Sequence, residues 1–169
     1  MPDPVTVRRF DRPGDLGWVV MAHGEVYAQQ FGWDTGFEAL VAGIVADFAA
    51  AHDPAREAGW VAEVDGRRAG SVLCVAGPDE RTARLRILLV TPEARGRGVG
   101  SRLVDECVRF AKDAGYTRLT LWTNDVLTSA RRIYEAAGFT LDDEEAHHSF
   151  GRDLVGQHWS LDLTGLPLR

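Results

Sequence analysis

The chain has 169 residues, 45% of them hydrophobic and 26% charged, with a net charge of −6. That is the size and composition of one folded domain with a sizeable core, and the acidic balance argues against nucleic acid as the principal partner. Cys74 and Cys107 lie in apolar settings with no CxxC or Cys/His spacing, and no run of about 18 apolar residues or secretory apolar region is present, so the reading is a cytoplasmic protein with no disulfide scaffold, zinc site or membrane partner.

In chain order, "VTVRRF" alternates as a first strand. Phe37, Leu40, Val41, Ile44, Val45 and Phe48 then recur at helical spacing behind Asp34 and Thr35, which suit a helix start. "WVAEVDGRRAGSVLCVAG" predicts two strands around the turn former Asp65-Gly66, and "TARLRILLV" a third, together an antiparallel meander. Leu103, Val104, Cys107, Val108 and Ala111 make one helical face that ends near Gly115, a natural left-handed cap. "RLTLWTN" predicts a strand, Thr128 to Ala137 a helix stopped by Gly138, and "HWSLDL" a closing strand. The order is strand, helices, three strands, helix, strand, helix, two strands, without repeats or a linker: one α/β domain over residues 1–169.

Between the meander and the next helix stands "LLVTPEARGRGVGSRLV", residues 88–104. A strand that enters a glycine-rich turn and starts a helix leaves several backbone N–H groups unpaired at the positive end of the helix dipole. Glycine lets the backbone approach a phosphate closely, and Arg95, Arg97 and Arg102 add charge around it. The turn lacks the spacing of a nucleotide-hydrolysing loop and follows an antiparallel meander instead of opening a βαβ unit. On its own it reads either as an anion cradle or as a glycine-capped loop with solvated arginines.

The turn Arg95-Gly96-Arg97-Gly98-Val99-Gly100, followed by "ARRIYEAAGF" at residues 130–139, resembles the pyrophosphate signature and last helix of the GNAT family of N-acetyltransferases. The resemblance covers nearly the whole chain. It implies the GNAT acyl-CoA N-acyltransferase fold, a mixed, mostly antiparallel sheet flanked by helices on both faces, with acetyl-CoA as cofactor. It also implies that the backbone of Arg95, Gly96, Arg97, Gly98, Val99, Gly100 and Ser101 holds the pyrophosphate, while Leu88, Leu89 and Val90 run beside the pantetheine arm and the Leu89 or Val90 N–H faces the developing oxyanion. Tyr134 matches the tyrosine that protonates the departing thiolate, Arg131 falls at a further cofactor position, and Asn124, at the end of the preceding strand, is expected to replace the cofactor contact of an asparagine that many members carry at the position of Leu127. The segments "HGEVYAQQFGW" and "EEAHHSFGRDLVGQHW" resemble, more narrowly, acetyltransferase domains that often follow a MarR-type regulator.

Two positions depart from that pattern. The asparagine usual three residues before the alanine of the last helix is Leu127, and the strand before the glycine turn carries Arg84 and Arg86 in place of a basic glutamate. The amine's proton must then go to Glu25, Glu63, His23, His147 or His148, or to water. Tyr27, Phe31 and Trp33 fall in the loop after the first helix, as pocket walls or as core, and "LDDEE" at 141–145 reads as a solvated turn or as a rim that attracts ammonium. Strand alternation sets Ala83, Leu85, Ile87 and Leu89 on one face and Arg84, Arg86, Leu88 and Val90 on the other. The two arginines there are solvated, paired with Glu63, or turned to the pocket, where Arg86 would suit an acceptor's carboxylate. The expected acceptor is a small-molecule amine such as an amino acid, attacking directly in a ternary complex, with a homodimer left open. The alternatives are a non-catalytic acyl-CoA sensor and a protein-lysine acetyltransferase.

Overall fold

The structure is a computed structural model that describes residues 4–165. Seven strands form one sheet: β1 (Val5–Arg9), β2 (Ala58–Val64), β3 (Arg67–Ala76), β4 (Thr82–Val90), β5 (Arg118–Asn124), β6 (Thr140–Ser149) and β7 (Arg152–Asp162), in the spatial order β1-β2-β3-β4-β5-β7-β6. Every neighbouring pair is antiparallel except β4 and β5. Four helices cover the faces: α1 (Asp15–Phe31), α2 (Thr35–Ala51), α3 (Val99–Asp113) and α4 (Thr128–Ala136). None of the described helices is long and apolar enough to cross a membrane.

The local signals act as the sequence implies. Asp65 and Gly66 both take positive φ, 52° and 79°, the conformation a two-residue hairpin turn requires, and β2 and β3 pair around them. Asp34 accepts the Gly36 N–H at 2.9 Å and starts α2. α3 ends as Gly115 turns left-handed at φ 93° and the Tyr116 N–H reaches back to the Ala111 carbonyl. The apolar face of α3, with Leu103, Val104, Cys107 and Ala111 fully buried, packs with Trp60, Val72, Leu85 and Leu121 into the larger core, where each buried Leu or Val contributes roughly 2 kcal/mol. On the opposite face, Val19, Val41 and Val45 form one small cluster, and Val26, Tyr27 and Trp33 another.

Three expectations are corrected. Tyr27 and Phe31 belong to the last turns of α1, not to a loop: Val19, His23, Val26 and Tyr27 recur at helical spacing, and Gly32, left-handed at φ 68°, ends the helix only after Phe31. "LDDEE" is not a turn but part of β6, an edge strand paired on one side only, with Asp142 near Arg118, Asp143 near His158 and Glu144 accepting from Gln157. The strict alternation along β4 fails at Ile87, where the strand bulges.

The start of α1 is tied to the sheet by a buried carboxylate. Asp15, 1% exposed, accepts from both Nη atoms of Arg8 on β1 at 2.8 and 2.9 Å, from Arg68 Nε on β3 at 2.9 Å, and from the Arg12 N–H at 3.0 Å. Glu63 on β2 takes Arg8 Nε and Arg12, which places it at this clasp and not beside Arg84 or Arg86. The Arg8 hydrogen bonds hold the Asp15 carboxyl far below the ordinary carboxylate range, against the opposing effect of burial. A group depressed in the folded state stabilises above its unfolded pKa of about 3.9 and loses that contribution as pH falls below it. Asp15→Asn is therefore expected to cost about 3 kcal/mol in a urea titration at pH 7. The gap between variant and wild type should narrow as the titration is repeated from about pH 5 down to pH 2; a constant gap would mean that the Asp15 charge is not what holds the clasp.

Candidate active site

β4 and β5 run side by side only through Thr82–Arg118, Ala83–Leu119 and Arg84–Thr120. Beyond Arg84 the two strands no longer pair with each other. Opposite the parting, β4 bulges against β3: Ser71 faces Leu89 and Leu73 faces Arg86, so Ile87 and Leu88 together stand against Val72, and Ile87 takes φ 49°. The extra residue resets the alternation. Ala83, Leu85, Leu88 and Val90 pack on the α3 side, while Leu89 joins the α1 cluster and Ile87 the α2 cluster. The parity expected from the sequence therefore holds up to Arg86 and inverts after it.

Two cavities open in this wedge. The first, about 550 Å³, runs from β4 past Gly96, Gly98 and Gly100 to Ser129 and Ile133 of α4. Gly98 precedes α3 in a left-handed conformation, φ 76°, and no side chain caps the helix. A Cβ on Gly96 or Gly98 would meet no protein atom within 4 Å, whereas on Gly100 it would lie 2.5 Å from Ile133 Cδ1, so Gly100 lets α3 approach α4. Uncapped N–H groups, glycines fronting open space and the cavity-lining Arg95 and Arg132 fit a diphosphate. Leu88, Leu89, Val90, Val99 and Ser101 line the same cavity. Arg97 turns to Asp65 at 3.8 Å, and Arg102 donates to the Val5 carbonyl. Arg131 departs from expectation: it donates to the Asp125 carbonyl, because the cavity-facing phase of α4 passes through Ser129, Ala130, Arg132 and Ile133.

The second cavity, about 570 Å³, lies on the α1 and α2 side, lined among others by His23, Tyr27, Trp33, Arg86, Trp122 and Tyr134. Tyr27, Leu88 and Leu127 border both cavities and mark their junction. Tyr27 donates to the Leu88 carbonyl at 3.3 Å, and burial pushes its phenol up to about 12. Behind it Phe31, Trp33, Phe37 and Phe150 stack with ring centroids 4.8 to 5.9 Å apart, so the aromatics are at once core and cavity wall. The Tyr134 hydroxyl makes no hydrogen bond with a described residue yet is not sealed from the cavity, and burial raises its pKa well above the ordinary tyrosine value.

His23 is fully buried. Its Nδ1 lies 2.7 Å from the Val19 carbonyl, which can only accept, so Nδ1 carries the hydrogen and Nε2 is left as an unpaired lone pair. Burial lowers its pKa to about 4, against raising effects of the Val19 and Ile87 carbonyls. Asn124 lines the second cavity, not the first, and its Oδ1 accepts from His147 Nε2 at 2.8 Å, while His147 Nδ1 accepts from Ser149 at 2.9 Å. His148 is exposed against Asp153, and Glu25 lies on the solvent side of α1. Trp122, on the rim above Gly156, escaped the sequence reading, because the apolar-polar pattern of β5 carries no mark of a cavity; Leu127, noted in the sequence only as a departure from the family pattern, stands at the junction.

Comparison with known proteins bears on this geometry. The acetyltransferase (GNAT) family matches residues 17–139. Human N-acetyltransferase 8B is 36% identical over 112 residues, 64% of this chain and 49% of that protein. The N-acetylaspartate synthetase of Danio rerio is 32% identical over 80 residues, 47% of this chain and 28% of that protein. The chain thus spans less than half the length of these curated relatives. The fold matches that of yncA from Salmonella typhimurium, solved with its cofactor acetyl-CoA, at TM-score 0.74 and 17% identity over 96% of each chain. It also matches a ribosomal-protein-alanine N-acetyltransferase from Brucella melitensis at TM-score 0.74 and 17% identity, over 93% of this chain and 99% of that one.

Replacing Gly98 by valine puts branched carbons into the space before α3 and forces a β-branched residue into positive φ. Calorimetry is expected to show acetyl-CoA affinity lowered by at least tenfold, with thermal unfolding of the variant checked in parallel. Unchanged affinity in the folded variant would remove the turn from the binding site.

Proposed function

Because the chain belongs to the GNAT family of acetyltransferases, we propose that it moves the acetyl group of acetyl-CoA to the primary amine of a small molecule such as an amino acid, with both bound at once. The observation that carries this reading is the pair of cavities meeting at Tyr27, Leu88 and Leu127: one suits a long phosphorylated ligand, the other a compact acceptor, and their junction is where the groups would react. The name N-acetylaspartate synthetase, borne by a relative, is in keeping with an amino-acid acceptor. The two segments on which the likeness to regulator-fused domains rests, 23–33 and 144–159, contribute His23, Tyr27, Trp33, His158 and Trp159 to the lining of the second cavity.

Acetyl-CoA supplies an activated thioester. The turn from Arg95 to Ser101 holds the pyrophosphate through its N–H groups, with Arg95 and Arg132 beside it. The freed edge of β4 lies along the pantetheine arm, and the Leu89 or Val90 N–H meets the negative charge that develops on the acetyl oxygen. The amine nitrogen adds to the acetyl carbon; as the carbon–sulfur bond then breaks, Tyr134 would give its proton to the sulfur, and the extra proton on the nitrogen passes through water to the Tyr134 phenolate, leaving amide and free thiol. His23 stays neutral at pH 7 and its Nε2 is sealed inside the protein, so the ammonium proton leaves to water before attack.

Two measurements test this reading. A screen of amino acids, polyamines and peptides with acetyl-CoA, read by free thiol release, should find turnover with small amines, and Tyr134→Phe should lower kcat roughly 10²-fold with acetyl-CoA affinity retained; full kcat in the variant would return Tyr134 to packing. The pH profile gives the other. With His23 neutral above about 4 and Tyr134 protonated throughout, kcat/KM for the acceptor should rise steadily from pH 6 to 9 as the acceptor's ammonium group loses its proton, without an inflection of the enzyme's own. An inflection near 6.5 that persists across acceptors of different amine pKa would give the proton to an unshifted histidine instead of to water.

A further inference from the structure

Burying part of a guanidinium is costly unless something pairs with it, and this chain obeys the rule closely. Among the described residues the other half-buried arginines all have partners: Arg8 and Arg68 hold Asp15, Arg56 donates to the Ala114 and Glu80 carbonyls, Arg102 to Val5 and Arg131 to Asp125. Arg86 is the exception. It is half-buried in the wall of the second cavity and makes no hydrogen bond or ion pair with any described residue. Burial, and then the charge of Arg84, work against its cationic form, and Asp47 on α2 is the one acid that favours it. Arg84 stands two residues earlier on the same strand face, roughly 7 Å away, exposed at the cavity mouth and likewise without a partner. The acids that do line this cavity, Asp79, Asp142 and Asp143, are exposed, and Asp142 is already engaged with Arg118.

We propose that Arg86, seconded by Arg84, selects the acceptor by its carboxylate, so that the acceptor is an amino acid or another small amine bearing an acid group. A planar guanidinium can take a carboxylate through two parallel hydrogen bonds, which fixes the acceptor's orientation as well as its charge. Arg86 lies two residues before Leu88, across the bulge from the junction of the cavities, so an acid group held there leaves a nearby amine at the point of transfer. This inference rests on the reading of the chain as an amine acetyltransferase.

The experiment compares amino acids with the amines left when the carboxyl group is removed, phenylalanine with phenethylamine and lysine with cadaverine, by thiol release with saturating acetyl-CoA. The carboxylates are expected to have the higher kcat/KM by about 30-fold or more, the scale of a hydrogen bond to a charged group. Arg86→Gln should collapse that ratio by raising the amino-acid KM while kcat changes little. In parallel, N-acetylated amino acids are titrated by calorimetry into the CoA-loaded wild type and Arg86→Gln, where only the wild type is expected to bind. If amines turn over without regard to the carboxyl group, or the variant keeps the amino-acid KM, the carboxylate site is refuted and acetyl transfer stands. If no amine turns over yet N-acetyl amino acids bind through Arg86, acetyl transfer to amines falls and the carboxylate site stands. Absence of both turnover and binding refutes both.

Discussion

The parting of β4 from β5 is the constraint on which the rest of the molecule depends. Two parallel strands that pair over three residues and then separate leave a length of backbone edge with nothing beside it, a cost a sheet ordinarily avoids. The bulge at Ile87 turns the far half of β4 out of register with its near half. Both cavities, their junction at Leu88 and the exposure of the glycine turn at the end of β4 follow from that single irregularity. The large α3 core on one side and the stacked aromatics on the other keep the wedge open by filling the space on either flank, so the opening is built by packing and not by flexible loops.

Two sets of polar groups stand apart in this chain, one closed on itself and one facing the second cavity, while Ser71 Oγ, Thr91 Oγ1 and Arg131 Nε are buried without a partner elsewhere. Asp15, Glu63, Arg8 and Arg68 satisfy one another completely and hold the start of α1 to the first strands. His23 Nε2, the Tyr134 hydroxyl and the Arg86 guanidinium have no partner among the described residues, and all three belong to residues that line one cavity. Unsatisfied groups are rare in folded proteins, and of these three the Tyr134 hydroxyl and the Arg86 guanidinium are not sealed from that cavity.

Much of this was legible in the sequence, for identifiable reasons. The strand "RLTLWTN" and the hairpin at Asp65-Gly66 fall where alternation and turn chemistry place them, and the glycine turn could be located because only glycines fit its positive φ angles. The bulge was not legible, because the left-handed position it needs is filled by Ile87, a β-branched residue that disguises it as ordinary strand. α1 was hidden for another reason. Gly17 and Gly24 interrupt it and apolar residues surround it, so its end was set too early and Tyr27 and Phe31 were assigned to a loop. Arg86 was visible as an anomaly in its strand, but only the list of what every other half-buried arginine touches shows how unusual it is.

β6 is one border of the sheet, ten residues long and exposed along its length. A free border of that length is an invitation for another molecule to continue the sheet. Here it carries Asp142, Asp143, Glu144 and Glu145 in succession, so two copies meeting border to border would set rows of like charge against each other. Asp142 and Asp143, which also line the second cavity, belong to this row, and the row guards the sheet against being continued through that side. Because the guard consists of charge and not of shape, it is strongest in dilute salt and fades as salt screens it.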